Sequence, residues 1–181
     1  FAFCENLKNI ITKDSFSTKN VKNMESMFEE CVNLEDINLN SFDTFNVTNM
    51  QCMFSCCRKL KSLNLGSFNT KNVLNVSGMF ACWENITKPD LSYFNIKNVT
   101  DMNSMFNGCK NLENIILTSF DTSKVTNMKD MFCDCFNLKN IHLNNFITKN
   151  VTDMENMFRC CEKLNDIDLS SFSTKNVSDM S

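Results

Sequence analysis

Eleven cysteines and one histidine are the side chains of this 181-residue chain best equipped for chemistry. Cys31, Cys57, Cys109, Cys135 and Cys161 share one phase of a 26-residue period, and Cys4 joins them after a one-residue shift. Thiols held in one phase of a repeat read as a buried ladder filling a small apolar slot. Stacked Cα atoms about 4.8 Å apart would permit disulfides, but parallel side chains keep their Cβ atoms wider than the ~3.8 Å such bonds prefer. Cys52, Cys56, Cys82, Cys133 and Cys160 lie outside that phase. The pairs Cys56-Cys57, Cys160-Cys161 and Cys133/Cys135 lack C-x-x-C spacing and have no neighbouring histidine, so no zinc centre is expected. The odd count leaves at least one thiol free or paired outside this stretch. His142 stands between Ile141 and Leu143 with no evident nucleophile partner, which predicts an exposed histidine on a strand, no catalytic site and no cofactor.

These side chains are positioned by a repeat. Met-Phe recurs at Met27-Phe28, Met53-Phe54, Met79-Phe80, Met105-Phe106, Met131-Phe132 and Met157-Phe158, an unbroken 26-residue step. A second phenylalanine series runs from Phe16 to Phe172 and a valine series from Val21 to Val177 at the same step, without insertion. Such periodicity predicts a solenoid, here of about seven coils over residues 1–181, in which each unit buries its apolar face only by stacking on its neighbours. Both ends fall inside a repeat, so capping repeats or other domains are expected beyond them.

Within a unit, Met50, Met53, Phe54 and Cys57 fall at i, i+3, i+4 and i+7, one face of a helix. Thr48 or Asn49 would cap its start. L-x-x-L-x-L follows, as in Leu60 to Leu65, and ends in the alternation of a strand. Each coil is therefore expected to hold a short helical turn and a short parallel β-strand. Gly 3 and Pro 1 are few for so many turns, which assigns much of the turning to asparagine.

The unit N-V-T-x-M-x-x-M-F-x-x-C-x-x-L-x-x-I-x-L-x-S-F-x-T, clearest from Asn98 to Thr122, resembles the BspA-like leucine-rich repeats, the bacterial surface protein 26-residue repeat. The resemblance covers nearly the whole chain. It implies a leucine-rich-repeat solenoid, often surface-exposed or lipid-anchored, engaged in adhesion or host-protein binding, with structural rather than catalytic repeat residues. The cysteines beyond one per repeat depart from the pattern and make an oxidising setting less evident.

Net charge −3 and a pI near 5.2 argue against nucleic acid or an anionic membrane as partner. No apolar run reaches the roughly 18 residues of a membrane span. The Asn-Val-Thr/Ser sequons at Asn46, Asn75, Asn98, Asn150 and Asn176, and Asn85-Ile-Thr87, follow from the repeat, whose stacked Asn and Thr would hydrogen-bond adjacent coils.

A protein or glycan ligand would meet the outward strand positions: Asp36 and Asn38, Ser62 and Asn64, Lys88 and Asp90, Asn114 and Ile116, Asn140 and His142, Asp166 and Asp168. The third full coil is irregular. Trp83 takes the cysteine phase, Pro89 a strand position and Tyr93 a serine position, a candidate contact patch or a kink. The chain is thus expected to be a cell-surface interaction or adhesion module, or else an intracellular leucine-rich-repeat scaffold or effector with reduced core cysteines.

Overall fold

The computed structural model describes residues 1–12 and 16–181. Its short strands are β1 (Asn9–Ile10), β2 (Asp36–Ile37), β3 (Asn114–Ile116) and β4 (Asn140–His142). β1 pairs with β2 and β3 with β4, both in parallel. Asn114 faces Asn140 and Ile116 faces His142, so each strand lies one repeat from its partner.

No helix forms among the described residues, and the expectation of a helical turn is corrected. The Met-Met-Phe-Cys segment is a ribbon of consecutive turns. In the fourth coil the N–H groups of Met102, Ser104, Phe106 and Gly108 donate to the carbonyls of Asn127, Lys129, Met131 and Cys133 in the next coil. The alternating N–H groups of Met105, Asn107 and Cys109 donate three residues back, to Met102, Ser104 and Phe106. Half the donors thus leave the segment, which denies it the i→i−4 ladder of an α-helix.

The turns from Met102 to Met105 and from Phe106 to Cys109 place Ser104 (φ 54°) and Gly108 (φ 69°) third, the type II signature. These left-handed positions repeat in every coil, as Ser26 and Glu30, Cys52 and Cys56, Gly78 and Cys82, Asp130 and Asp134, Asn156 and Cys160. Asparagine holds one of them, so its expected turning role lies elsewhere. Asn23, Asn49, Asn75 and Asn127, with Asp101, Asp153 and Asp179, each use a side-chain oxygen to accept the N–H two residues on, at 2.8–3.0 Å. The same seven residues bridge coil to coil in parallel. Asn49 thereby caps a turn ribbon and not a helix.

The core is a set of columns. Phe28, Phe54, Phe80, Phe106, Phe132 and Phe158 stack with ring centroids 5.5–6.3 Å apart. Phe42, Phe68, Phe94, Phe120 and Phe146 form a second buried column. Buried threonines close the loops: Thr44 Oγ donates to the Asn69 carbonyl (3.2 Å) and accepts the Asn69 N–H (2.7 Å). Thr70, Thr122 and Thr148 do the same one coil apart. The sequon asparagines Asn46, Asn98, Asn150 and Asn176 donate Nδ2 to a carbonyl of the preceding coil at 2.7–2.8 Å, the structural role expected of them.

Candidate functional site

Where strands form, their pleat puts Ile37, Leu39, Ile115, Leu117, Ile141 and Leu143 inside, and the intervening side chains point outward. Asp36, Asn38, Ser62, Asn64, Lys88, Asp90, Ile116, Asn140, His142, Asp166 and Asp168 line the outward face, each exposed or nearly so, and Asn114 is half-buried. Parallel pairing joins four of them into one patch, in which Asn140 Nδ2 donates to Asn114 Oδ1 (2.6 Å) and Ile116 lies beside His142. Ile116, 66% exposed, is the large apolar side chain in that patch. Beside the face, Lys61–Glu35 (2.9 Å) and Lys139–Glu113 (3.2 Å) pair across successive coils. These pairs are solvent-exposed and contribute little to stability.

Four of the twelve positions are aspartates and one is a lysine, so the face is acidic and hydrogen-bonding. The Ser92 hydroxyl and amide hold the Asp90 carboxyl below its usual value. Ser170 does the same for Asp168.

The strand ladder is not continuous. Residues 61–65 and 87–91 form no strand, and β2 and β3 belong to separate two-stranded sheets. Pro89 sits in the phase of Ile37, Ile115 and Ile141 but has no N–H to donate to the preceding coil. Two hollows flank it. One of about 220 Å³ is bordered by Lys61, Ser62, Trp83, Ile86, Lys88 and Pro89. The other, of about 330 Å³, lies among Pro89, Asp90, Leu91, Ile116 and Thr118. The sequence signal for them is the single proline in a strand phase.

The irregular patch does not assemble as one surface. Trp83 is 3% exposed, packs against Phe80 in a tilted arrangement and donates its indole N–H to the Leu60 carbonyl, so it is a core residue and not a surface anchor. The indole occupies the slot that a thiol fills in other coils, and its hydrogen bond satisfies the buried donor. Tyr93 is 66% exposed and borders neither hollow.

The in-phase thiols behave as a ladder. Cys57, Cys109, Cys135 and Cys161 each donate to the carbonyl of a phenylalanine one coil back at 3.1–3.2 Å. Burial pushes Cys57, Cys109 and Cys161 up to about 12 and Cys135 well above its usual value. Raised thiols are poor nucleophiles. All eleven cysteines are free.

Parallel strands, apolar columns and one outward polar face define a leucine-rich-repeat-like solenoid. A leucine-rich repeat protein of T. pallidum has the same fold, with TM-score 0.53 and 17% identity over 92% of this chain and 69% of that one. Leucine-rich repeat proteins of Bacteroides ovatus (21% identity, TM-score 0.48) and Eubacterium ventriosum (16%, 0.48) are each matched over 84% of this chain. The chain spans 44% and 52% of their lengths. No curated protein matches the sequence. The chain belongs to the family described as "Mycoplasma protein of unknown function, DUF285", whose sequence model matches residues 1–114 and 80–181.

Proposed function

We propose that this chain is a non-catalytic protein-interaction module of about seven stacked coils, displayed at the cell surface, that binds its ligand on the outward strand face. The observation that carries this reading is the Asn114, Ile116, Asn140 and His142 patch, where hydrogen-bonding groups surround an exposed isoleucine. Apolar contact ringed by polar groups is how protein interfaces are built. The acidic remainder of the face favours a ligand with basic and hydrogen-bonding groups, a protein before a glycan. The BspA-like character of the repeat supports adhesion as the role. Among the described residues no helix is long and apolar enough to cross a membrane.

A second reading, an intracellular leucine-rich-repeat scaffold, is favoured by the thiol ladder, in which Cys57, Cys109 and Cys135 are buried and each donate to a carbonyl one coil back. Protease treatment of intact source cells, followed by immunodetection of this region, separates the two. Degradation on intact cells is the expected result. Protection until the cells are lysed would overturn surface display and leave the scaffold reading.

A further inference from the structure

Four of the five cysteines outside the ladder, all but Cys133, share a feature that their sequence positions do not reveal. Cys52, Cys56, Cys82 and Cys160 all occupy left-handed turn positions, with φ between 53° and 58°. There Cys52, Cys56 and Cys82 are half-buried and Cys160 is exposed. Each such position stacks on its equivalents one coil away. Cys52 lies between Ser26 and Gly78, and Cys160 follows Asp134. Only Cys56 and Cys82 are stacked on each other among the cysteines of these positions.

The two residues are held in register by the ribbon itself, since the Cys56 N–H donates to the Ala81 carbonyl at 2.8 Å. Sulfurs in these columns lean toward the following coil. The Cys52 sulfur lies 2.9 Å, and the Cys82 sulfur 3.0 Å, from where a Cβ on Gly78 or Gly108 would stand. The same lean would carry the Cys56 sulfur toward Cys82, its equivalent in the following coil. Gly108 supplies the space in which the second sulfur can turn.

We propose that Cys56 and Cys82 form a dithiol modification site that a small-molecule disulfide converts into a covalent staple between the second and third full coils. The Cys82 thiolate attacks one sulfur of the oxidant RSSR, forming a Cys82–S–SR mixed disulfide and releasing RS⁻. The Cys56 thiolate then attacks the Cys82 sulfur, closes the Cys56–Cys82 bond and releases the second RS⁻. The two protons lost by the cysteines end on the two RSH products, so two thiols are oxidised and one disulfide is reduced.

Three observations select this pair. Both thiols are partly exposed, whereas Cys31, Cys57, Cys109 and Cys135 are fully buried. The neighbouring Cys56 thiol, with Arg58 and Lys110, brings Cys82 down to about 7 and Cys56 is raised in return, so Cys82 is the attacking sulfur. The staple also falls at a particular junction. The coils it joins are those whose strand segments, 61–65 and 87–91, form no ladder and leave the hollow beside Pro89. A covalent link there supplies the inter-coil tie that Pro89 removes.

Trp83, the single tryptophan of the chain, adjoins Cys82 and borders the hollow, so its fluorescence reports on the pair. The reduced, folded chain is incubated with oxidised glutathione, and free thiols are then alkylated and counted by mass spectrometry. The expected result is loss of two of the eleven thiols without retained glutathione, a cross-link mapped to Cys56 and Cys82, and quenched Trp83 emission. Cys56→Ser should trap one glutathione on Cys82, Cys82→Ser should trap none at Cys56, and Cys52→Ser should leave the cross-link intact. Peptide mapping of the unsubstituted chain decides the matter even if a variant misfolds. Eleven alkylatable thiols in the folded chain after exposure, or a cross-link mapped to another pair, would overturn the proposal.

Discussion

Replacing Ser104 by glycine distinguishes a turn ribbon from a helix by the sign of its effect. Ser104 has φ 54°, and its hydroxyl makes no hydrogen bond among the described residues. Its N–H donates to Lys129 and its carbonyl accepts from Asn107, and glycine keeps both bonds. Holding an L-residue in the left-handed region costs roughly 1–2 kcal/mol, a cost glycine escapes. Glycine loses about 0.5–1 kcal/mol more chain entropy on folding. The balance is a stabilisation of about 0.5–1 kcal/mol. Were residues 102–109 helical, the same substitution would destabilise by about 1 kcal/mol. Gly78 occupies the equivalent position one coil earlier with φ 59°, so the ribbon accepts glycine there. Urea unfolding followed by circular dichroism reads the difference. With a slope of about 2 kcal/mol/M, the midpoint should rise by about 0.3–0.5 M. A fall of that size would refute the turn assignment.

Two further outcomes follow from the packing and the carboxylates. Phe106→Ala removes a fully buried ring stacked 5.7 Å from Phe80 and 5.6 Å from Phe132. It should destabilise the chain by about 3–5 kcal/mol in the same unfolding assay, and a loss under about 1 kcal/mol would mean that the column does not hold the coils together. The Asp168 carboxyl, held below its ordinary 3.8 by the Ser170 hydroxyl and then the Ser170 amide, should titrate below that value by NMR. A depressed carboxyl stabilises the folded chain above its unfolded value and loses that contribution as pH falls through the folded one, so Ser170→Ala should return the titration toward 3.8 and reduce stability above that pH.

The strand face shows how far residue types can be read into a site. Alternation in Ile141-His142-Leu143 places the histidine outward, because a strand side chain has two faces to choose from and its apolar neighbours take the core. The break beside Pro89 is signalled by a missing donor, but the hollows it leaves depend on how Trp83 and Leu91 fill the space behind it. Trp83 itself reads as a surface anchor, being the single tryptophan in an irregular coil. Its burial is decided by the slot that the thiol ladder leaves and by the Leu60 carbonyl waiting for a donor.

The 26-residue step, the phenylalanine, methionine and valine columns and the inward or outward sense of the strand residues are determined by the sequence alone. Identical residues recur at a fixed interval, and stacking is the one arrangement that buries them all. The conformation between Met102 and Cys109 is decided by tertiary structure. Spacing of i, i+3, i+4 and i+7 buries the same side chains in a helix or in two linked type II turns. The choice rests on where the alternate N–H groups donate, and their acceptors all belong to the next coil. Left-handed residues follow from that choice, and serine, glutamate and cysteine at those positions carry no local signature of it. The meeting of Cys56 and Cys82 belongs to the same level, since two thiols a full repeat apart in sequence become neighbours only once the coils stack.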